Sequence, residues 1–255
     1  MTPAGTGSPA SIGRLLAAGE GRPVVLVPSV GSTPLSLVRL ARAIEPRRPV
    51  YAFSYAGIED DSPPQRTLGQ MATACVDDLL ACEPRGPYLL WGHCLGGSVA
   101  LAAALELEAR GLAVERLVVA DSLAPLIADS GSGRDAAGAA SPAVEEHFRR
   151  TIESVVRRMF ASMPALEPRA FVRLGGIVTL HIEAGVAYRA RPLRAPIDIL
   201  RTAEFPQSLQ SEWARIAAGG LAIHEVPGDT FSMLKPPHVV DVGRVLGRVL
   251  RGSDR

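Results

Sequence analysis

The chain has 255 residues, a formal net charge of +1 and 47% apolar residues. That length suits one domain, with or without an inserted cap, and that apolar share can fill a large core. No basic stripe points to nucleic acid, no apolar run is taken as long enough to cross a bilayer, and no charged-then-apolar leader is seen, so the chain reads as cytoplasmic.

Residues 1–20, rich in Gly, Ala, Ser and Pro, read as a tail or an interdomain linker. Residues 22–28 form a short apolar run that ends in Ser29-Val30-Gly31-Ser32, a buried strand followed by a turn. Residues 34–45 have helical spacing, 49–53 (Pro-Val-Tyr-Ala-Phe) form a second strand, and 67–82 an amphipathic helix. Residues 88–91 are a third strand, 96–110 an Ala/Leu helix, and 116–120 a fourth strand that ends at Asp121. The alternation then stops. Residues 125–191 hold a Gly/Ser/Ala loop (129–141) and helical stretches over 143–161 and 168–188, and read as an inserted helical lid. Strand 197–200, helix 207–218, strand 222–226 and helix 237–250 resume the pattern. Strands alternating with helices predict an α/β fold with a mostly parallel sheet covered on both faces. Segments 21–124 and 192–255 are its core.

Three cysteines make no disulfide framework, and Cys75 and Cys82 read as small buried groups in a helix. No cysteine and histidine spacing suggests a metal site. Lys235, beside Pro236, is the only lysine, which leaves little room for lysine-based catalysis.

The sharpest signal is Trp91-Gly92-His93-Cys94-Leu95-Gly96-Gly97, which follows a strand and opens a helix. That is the setting of a nucleophile elbow, Gly-x-nucleophile-x-Gly, in which small residues let neighbouring backbones approach the strained turn. Cys94 is the nucleophile. The helix N-terminus beside it is expected to favour a thiolate and lower the cysteine pKa. His93 is adjacent to it, and adjacent side chains on such a turn diverge, so His93 is read as structural.

Residues 49–53, the run from Gly86 through the elbow, Asp121-Ser122-Leu123-Ala124-Pro125, and residues 226–234 (Val-Pro-Gly-Asp-Thr-Phe-Ser-Met-Leu) resemble the C-terminal thioesterase domains of nonribosomal peptide synthetases. The resemblance covers the chain from about residue 20 and implies an α/β-hydrolase fold with a lid over 125–191. It implies Asp121 as the triad acid and the N–H groups of Val30 and Leu95 as the oxyanion hole. It also implies a peptidyl thioester substrate, delivered on the phosphopantetheine of an upstream peptidyl carrier protein, with no bound cofactor. Two positions depart from the family: the usual serine is Cys94, and the usual Gly-Asp-His is Gly228-Asp229-Thr230.

The expected base is therefore missing from its place. His147 opens a lid helix and reads as solvated; His224 in a strand and His238 near the last helix are common in the family beside the usual base. His181, on the second lid helix, stands where the family often has asparagine, so His181 is the candidate base and His238 the runner-up.

An acyl group moved from thiol to thiol keeps its activation, which suits ring closure by an internal nucleophile. Release by cyclisation is expected. The thiol nucleophile resembles that of release domains closing four-membered rings, β-lactones of the obafluorin type and β-lactams of the sulfazecin monobactam type, and the missing loop histidine favours the β-lactam. The alternatives are a hydrolytic editing thioesterase, a cysteine hydrolase of the dienelactone type, and an inactive carrier-protein-binding module. The lid arginines (Arg134, Arg149, Arg150, Arg157, Arg158, Arg169, Arg173) read as a solvated face.

Overall fold

The computed structural model describes residues 14–127, 157, 161, 167–205 and 210–252. Its strands β1 (Arg14–Ala17), β2 (Val24–Val27), β3 (Val50–Ala52), β4 (Tyr88–His93), β5 (Val114–Ala120), β8 (Ile197–Arg201) and β9 (Leu221–Glu225) form one sheet in the order β1-β3-β2-β4-β5-β8-β9. All neighbours are parallel except β1 with β3. Strands β6 (Leu126–Ile127) and β7 (Arg189–Ala190) pair separately, clasping the two ends of the 125–191 segment.

The central strands are apolar over the stretches where both faces are covered, residues 24–27, 88–91 and 117–120. Val25 and Val27 face a core that includes helices α2 (Leu68–Cys82), α3 (Leu95–Ala109) and α5 (Gln210–Ile216). Val24 and Leu26, pointing the opposite way at the strand's period of two, meet α1 (Val38–Ala43) and α6 (His238–Arg251). Helix α4 (Pro168–Ala187) belongs to the expected lid and packs against α2 and α3. Within it, Arg169–Ala187 is long and apolar enough to span a bilayer by length and composition, contrary to expectation. Burial of Ile177, Val178 and Ala184 shows what one face of that apolar helix is used for.

Most elements fall where the sequence placed them. Residues 14–17 differ: they lie in the expected tail but add an antiparallel edge strand to the sheet. The expected helix over 34–45 is a 3-10 turn (Pro34–Leu37) running into α1. The helical stretch over 143–161 lies outside the described residues save 157 and 161.

Candidate active site

Strand β4 enters the corner and α3 leaves it, with Cys94 between them at φ 55° and ψ −126°. A residue with a Cβ keeps such a backbone only where its surroundings impose it. Here Cys94 N–H donates to the Ala120 carbonyl and the Cys94 carbonyl accepts from Gly97 N–H, both at 3.0 Å. The flanking glycines allow the close approach: a Cβ on Gly92 would lie 2.2 Å from the Gly96 carbonyl oxygen, and one on Gly96 would lie 2.4 Å from that of Pro28. The elbow is thus wedged between its own helix and the end of β2.

The Cys94 thiol is hydrogen-bonded by the Ser29 hydroxyl and faces Leu95 N–H. Burial pushes the thiol above its ordinary value; those two donors pull it down, and the Asp121 charge adds a smaller upward push. The expected lowering by the helix N-terminus is therefore corrected, because desolvation of a thiolate here outweighs the two donors. Val30, expected as the second oxyanion donor, follows Ser29 on the turn after β2, with its side chain buried.

Asp121 closes β5 at φ 39° and is buried. Its carboxylate accepts from Thr202 N–H at 2.9 Å, from Thr202 Oγ1 at 2.6 Å and from Thr230 Oγ1 at 2.9 Å. Two threonines, and no histidine among the described residues, therefore hydrogen-bond this acid. Thr230 is set in place by its loop: Gly228 turns at φ 92°, and the Asp229 carboxylate accepts from Phe231 N–H and Ser232 N–H at 2.7 and 2.9 Å.

A cavity of about 430 Å³ opens over the sulfur, lined among others by Ser29, His93, Cys94 and Thr230. His93 is buried, its ring stacked on Trp91 at 6.2 Å and 12°. One ring nitrogen hydrogen-bonds the Thr230 carbonyl, while Nε2 has no partner among the described residues. Burial lowers its pKa, against upward pulls from Asp121 and that carbonyl. Its side chain, read from the sequence as diverging from the nucleophile, lines the same cavity.

His181 is fully buried on α4, 5.0 Å from the Tyr55 ring centroid. Neither of its ring nitrogens has a hydrogen-bond partner among the described residues, and burial pulls its pKa down to about 4. It touches neither Asp121 nor Cys94 by hydrogen bond and is not in the lining of the Cys94 cavity. Helix α4 nevertheless reaches the elbow one turn away, where a Cβ on Gly185 would lie 2.5 Å from Leu95 Cδ1. His238 begins α6 and abuts the Gly228 turn, its Cδ2 3.0 Å from where a Gly228 Cβ would be.

His224 Nε2 lies 2.6 Å from the Asp198 carboxylate, which also binds Arg116, so this histidine joins neighbouring strands of the sheet. His147, Arg134, Arg149, Arg150 and Arg158 lie outside the described residues. Arg157 and Arg169 are exposed, and Arg173 donates to the Asp60 carbonyl at 2.6 Å and the Asp61 carboxylate at 3.0 Å. Cys75 is buried in α2 and its thiol is pushed far up by that burial, as suits a packing residue. Ser29 and Thr202 are the site residues that sequence reasoning missed. Ser29 stands in the turn that supplied Val30 and could have been read from it; nothing in the sequence near Thr202 marks it.

The chain has relatives among known proteins. Indigoidine synthase of Dickeya dadantii is 27% identical over 252 residues, covering 89% of this chain and 17% of that protein. Indigoidine synthase of Streptomyces lavendulae is 28% identical over 247 residues, with 88% and 18% covered. The chain thus spans under a fifth of the length of either relative. Among solved structures, the Vlm2 thioesterase domain bound with a dodecadepsipeptide superimposes with a TM-score of 0.71 at 23% identity, covering 94% of this chain and 98% of that one. The NocB thioesterase domain from the nocardicin cluster gives 0.70 at 22% identity, with 91% and 95% covered. These superpositions establish the α/β-hydrolase architecture already seen in the sheet order and elbow. Residues 22–248 match the model of the Thioesterase domain family, and with elbow, sheet and sequence in agreement over nearly its whole length, the chain belongs to that family.

Proposed function

We propose that this domain is the release thioesterase of a nonribosomal peptide synthetase, taking a peptidyl group from carrier-protein phosphopantetheine onto Cys94 and freeing it by intramolecular cyclisation. The observation that carries the reading is the Cys94 sulfur on a strained corner, against Ser29 and Leu95 N–H, at the floor of a cavity of about 430 Å³. The sulfur attacks the thioester carbonyl carbon, and Leu95 and Val30 N–H hold the developing oxyanion. Collapse breaks the carbon–sulfur bond to pantetheine, and the Cys94 proton ends on the departing thiolate. His181, neutral and with uncommitted ring nitrogens, is the proposed carrier of that proton once the lid closes; His238 is the second candidate. Exchange of one thiol for another is nearly isoenergetic, so a weak base suffices.

Support for cyclisation comes from the acid end. Deacylation by water needs a general base, yet the group on Asp121 is the Thr230 hydroxyl, whose proton is already given to that carboxylate. An internal nitrogen needs less help with a thioester than with an oxygen ester. Its attack forms the ring amide bond, breaks the Cys94 thioester and returns a proton to the sulfur. We favour a four-membered β-lactam product. Treating the domain with a peptidyl N-acetylcysteamine thioester and weighing it intact tests the reading. An acyl adduct on Cys94, absent in Cys94→Ala, and a product one water lighter than the free acid are expected. No adduct would leave an inactive carrier-binding module; free acid alone would leave a hydrolytic enzyme.

A further inference from the structure

We infer that the cavity over Cys94 seats an anionic oxygen group of the substrate, a phosphate, sulfonate or carboxylate, against Arg39 and Lys235. The inference rests on the acyl-transfer reading above and names a feature of the substrate it accepts.

Arg39 comes from α1 and Lys235 from the turn before α6, and both line the cavity that also holds Cys94. Among the described residues, no aspartate or glutamate lines it. Neither cation forms an ion pair with an acid among the described residues. Elsewhere, some exposed arginines are met by acids, Arg110 by Asp77, Arg173 by Asp61 and Arg244 by Asp241, and others, such as Arg42, Arg66 and Arg85, pair with none among the described residues; what sets Arg39 and Lys235 apart is that they share the cavity of Cys94. Asp121, close to the site, is not in the lining and is already satisfied by Thr202 and Thr230. His93, the remaining titratable group of the lining besides Cys94, is held toward its neutral form by burial. Two exposed cations lining one cavity, with no acid among the described lining residues to offset them, repel each other through partly screening solvent and bias the cavity toward a positive potential. A bound anion removes that cost and gains charge-assisted hydrogen bonds, with the Ser32 hydroxyl beside them as a further donor.

Because the cations share the cavity with the sulfur, the anionic group must belong to the same molecule as the attacked carbonyl. Two parts of a carrier-bound acyl thioester qualify: an acidic substituent on the acyl chain, or the phosphate of the pantetheine arm. Four thioesters separate them: an acyl chain bearing a carboxylate and its methyl ester, both on N-acetylcysteamine, and one neutral acyl chain on pantetheine and on phosphopantetheine. The readout is the rate of acyl adduct formation on Cys94 in wild type, Arg39→Gln, Lys235→Gln and the double variant. In wild type one anionic member is expected to react about tenfold faster than its neutral partner. That ratio should fall to about one in the double variant and shrink with added salt. Which pair shows it identifies the part of the substrate. Equal rates within both pairs, or an advantage that survives the double substitution, would overturn the inference.

If no thioester acylates Cys94, the acyl-transfer reading fails, and a second measurement still tests the site. Lys235 is the only lysine of the chain, so reductive methylation followed by peptide mapping reports this side chain alone. Non-reactive amide analogues of the same four compounds serve as competitors. Protection of Lys235 by an anionic analogue and not by its neutral partner is expected; equal protection by both, or none, counts against an anion seat.

Discussion

The Cys94 corner and the Asp121 end of this site are held by contacts of different range. Cys94 is fixed by Gly92, Gly96 and Gly97, all within three residues of it, and by the end of β2. Asp121 is fixed by Thr202 and Thr230, 81 and 109 residues away. The local corner admits almost no change, since each glycine faces backbone or a packed side chain with no space for a Cβ. The long-range end is satisfied by chemistry alone, and a threonine hydroxyl meets the carboxylate's demand for a donor. The Asp121 end is thus satisfied without a histidine among the described residues, while the corner cannot be altered without moving the end of β2.

The first way to break this comparison is Gly96→Ala. Its Cβ would meet the Pro28 and Val27 carbonyl oxygens at 2.4 and 2.5 Å, and rigid backbone cannot give way cheaply. A loss of about 3 kcal/mol in denaturant unfolding is expected, together with loss of Cys94 acylation. A variant as stable as wild type would mean the corner tolerates movement and is not wedged.

Thr230→His tests the other end. A histidine there would take over the hydrogen bond to Asp121 and face the cavity that Thr230 and Cys94 share. Hydrolytic release from acyl-Cys94 should rise by about a hundredfold, the usual contribution of a positioned base. The measurement is free acid formed per adduct in single turnover. If the variant acylates as before and yields no more acid, the slot on Asp121 has no bearing on how the product leaves.

The same difference in range explains what could be read from the sequence. The elbow was legible because Gly92, Cys94 and Gly96 lie in one short stretch, and their types follow from the turn they must make. The central strands were legible because β2 and the buried parts of β4 and β5, residues 88–91 and 117–120, are apolar runs, as strands covered on both faces must be. Strand β1 was not: its Leu15 and Leu16 sit in a Gly/Ala-rich segment, and only pairing with β3 makes them a strand. The departure from the resembled Gly-Asp-His pattern at Thr230 was visible, but the partners of Asp121 were not, since Thr202 is unremarkable until β5 and β8 lie side by side. The direction of the Cys94 pKa was misjudged for the same reason. A helix N-terminus can be read locally, whereas desolvation depends on everything that packs around the sulfur.

His181 gives the smallest expected effect and the sharpest test of how the lid helix α4 relates to the site. Its ring is buried without a hydrogen-bond partner among the described residues, and its pKa is pulled down to about 4, against an ordinary value of 6.5. The unfolded chain therefore binds this proton first. The stabilisation is fully present above pH 6.5 and is lost as pH falls from there through 4, by about 2 kcal/mol after allowance for relaxation around the ring. His93, lowered by its own burial, adds to the same acid limb. In His181→Leu the limb should flatten, and stability at pH 7 should hold or rise, because two orphaned nitrogens are removed from a buried site. Chemical denaturation at pH 7 and pH 5 in both proteins measures this. Were the acid limb unchanged in the variant, His181 would not be the buried neutral ring described here, and it would have to be reaching solvent or an acid through motion of α4.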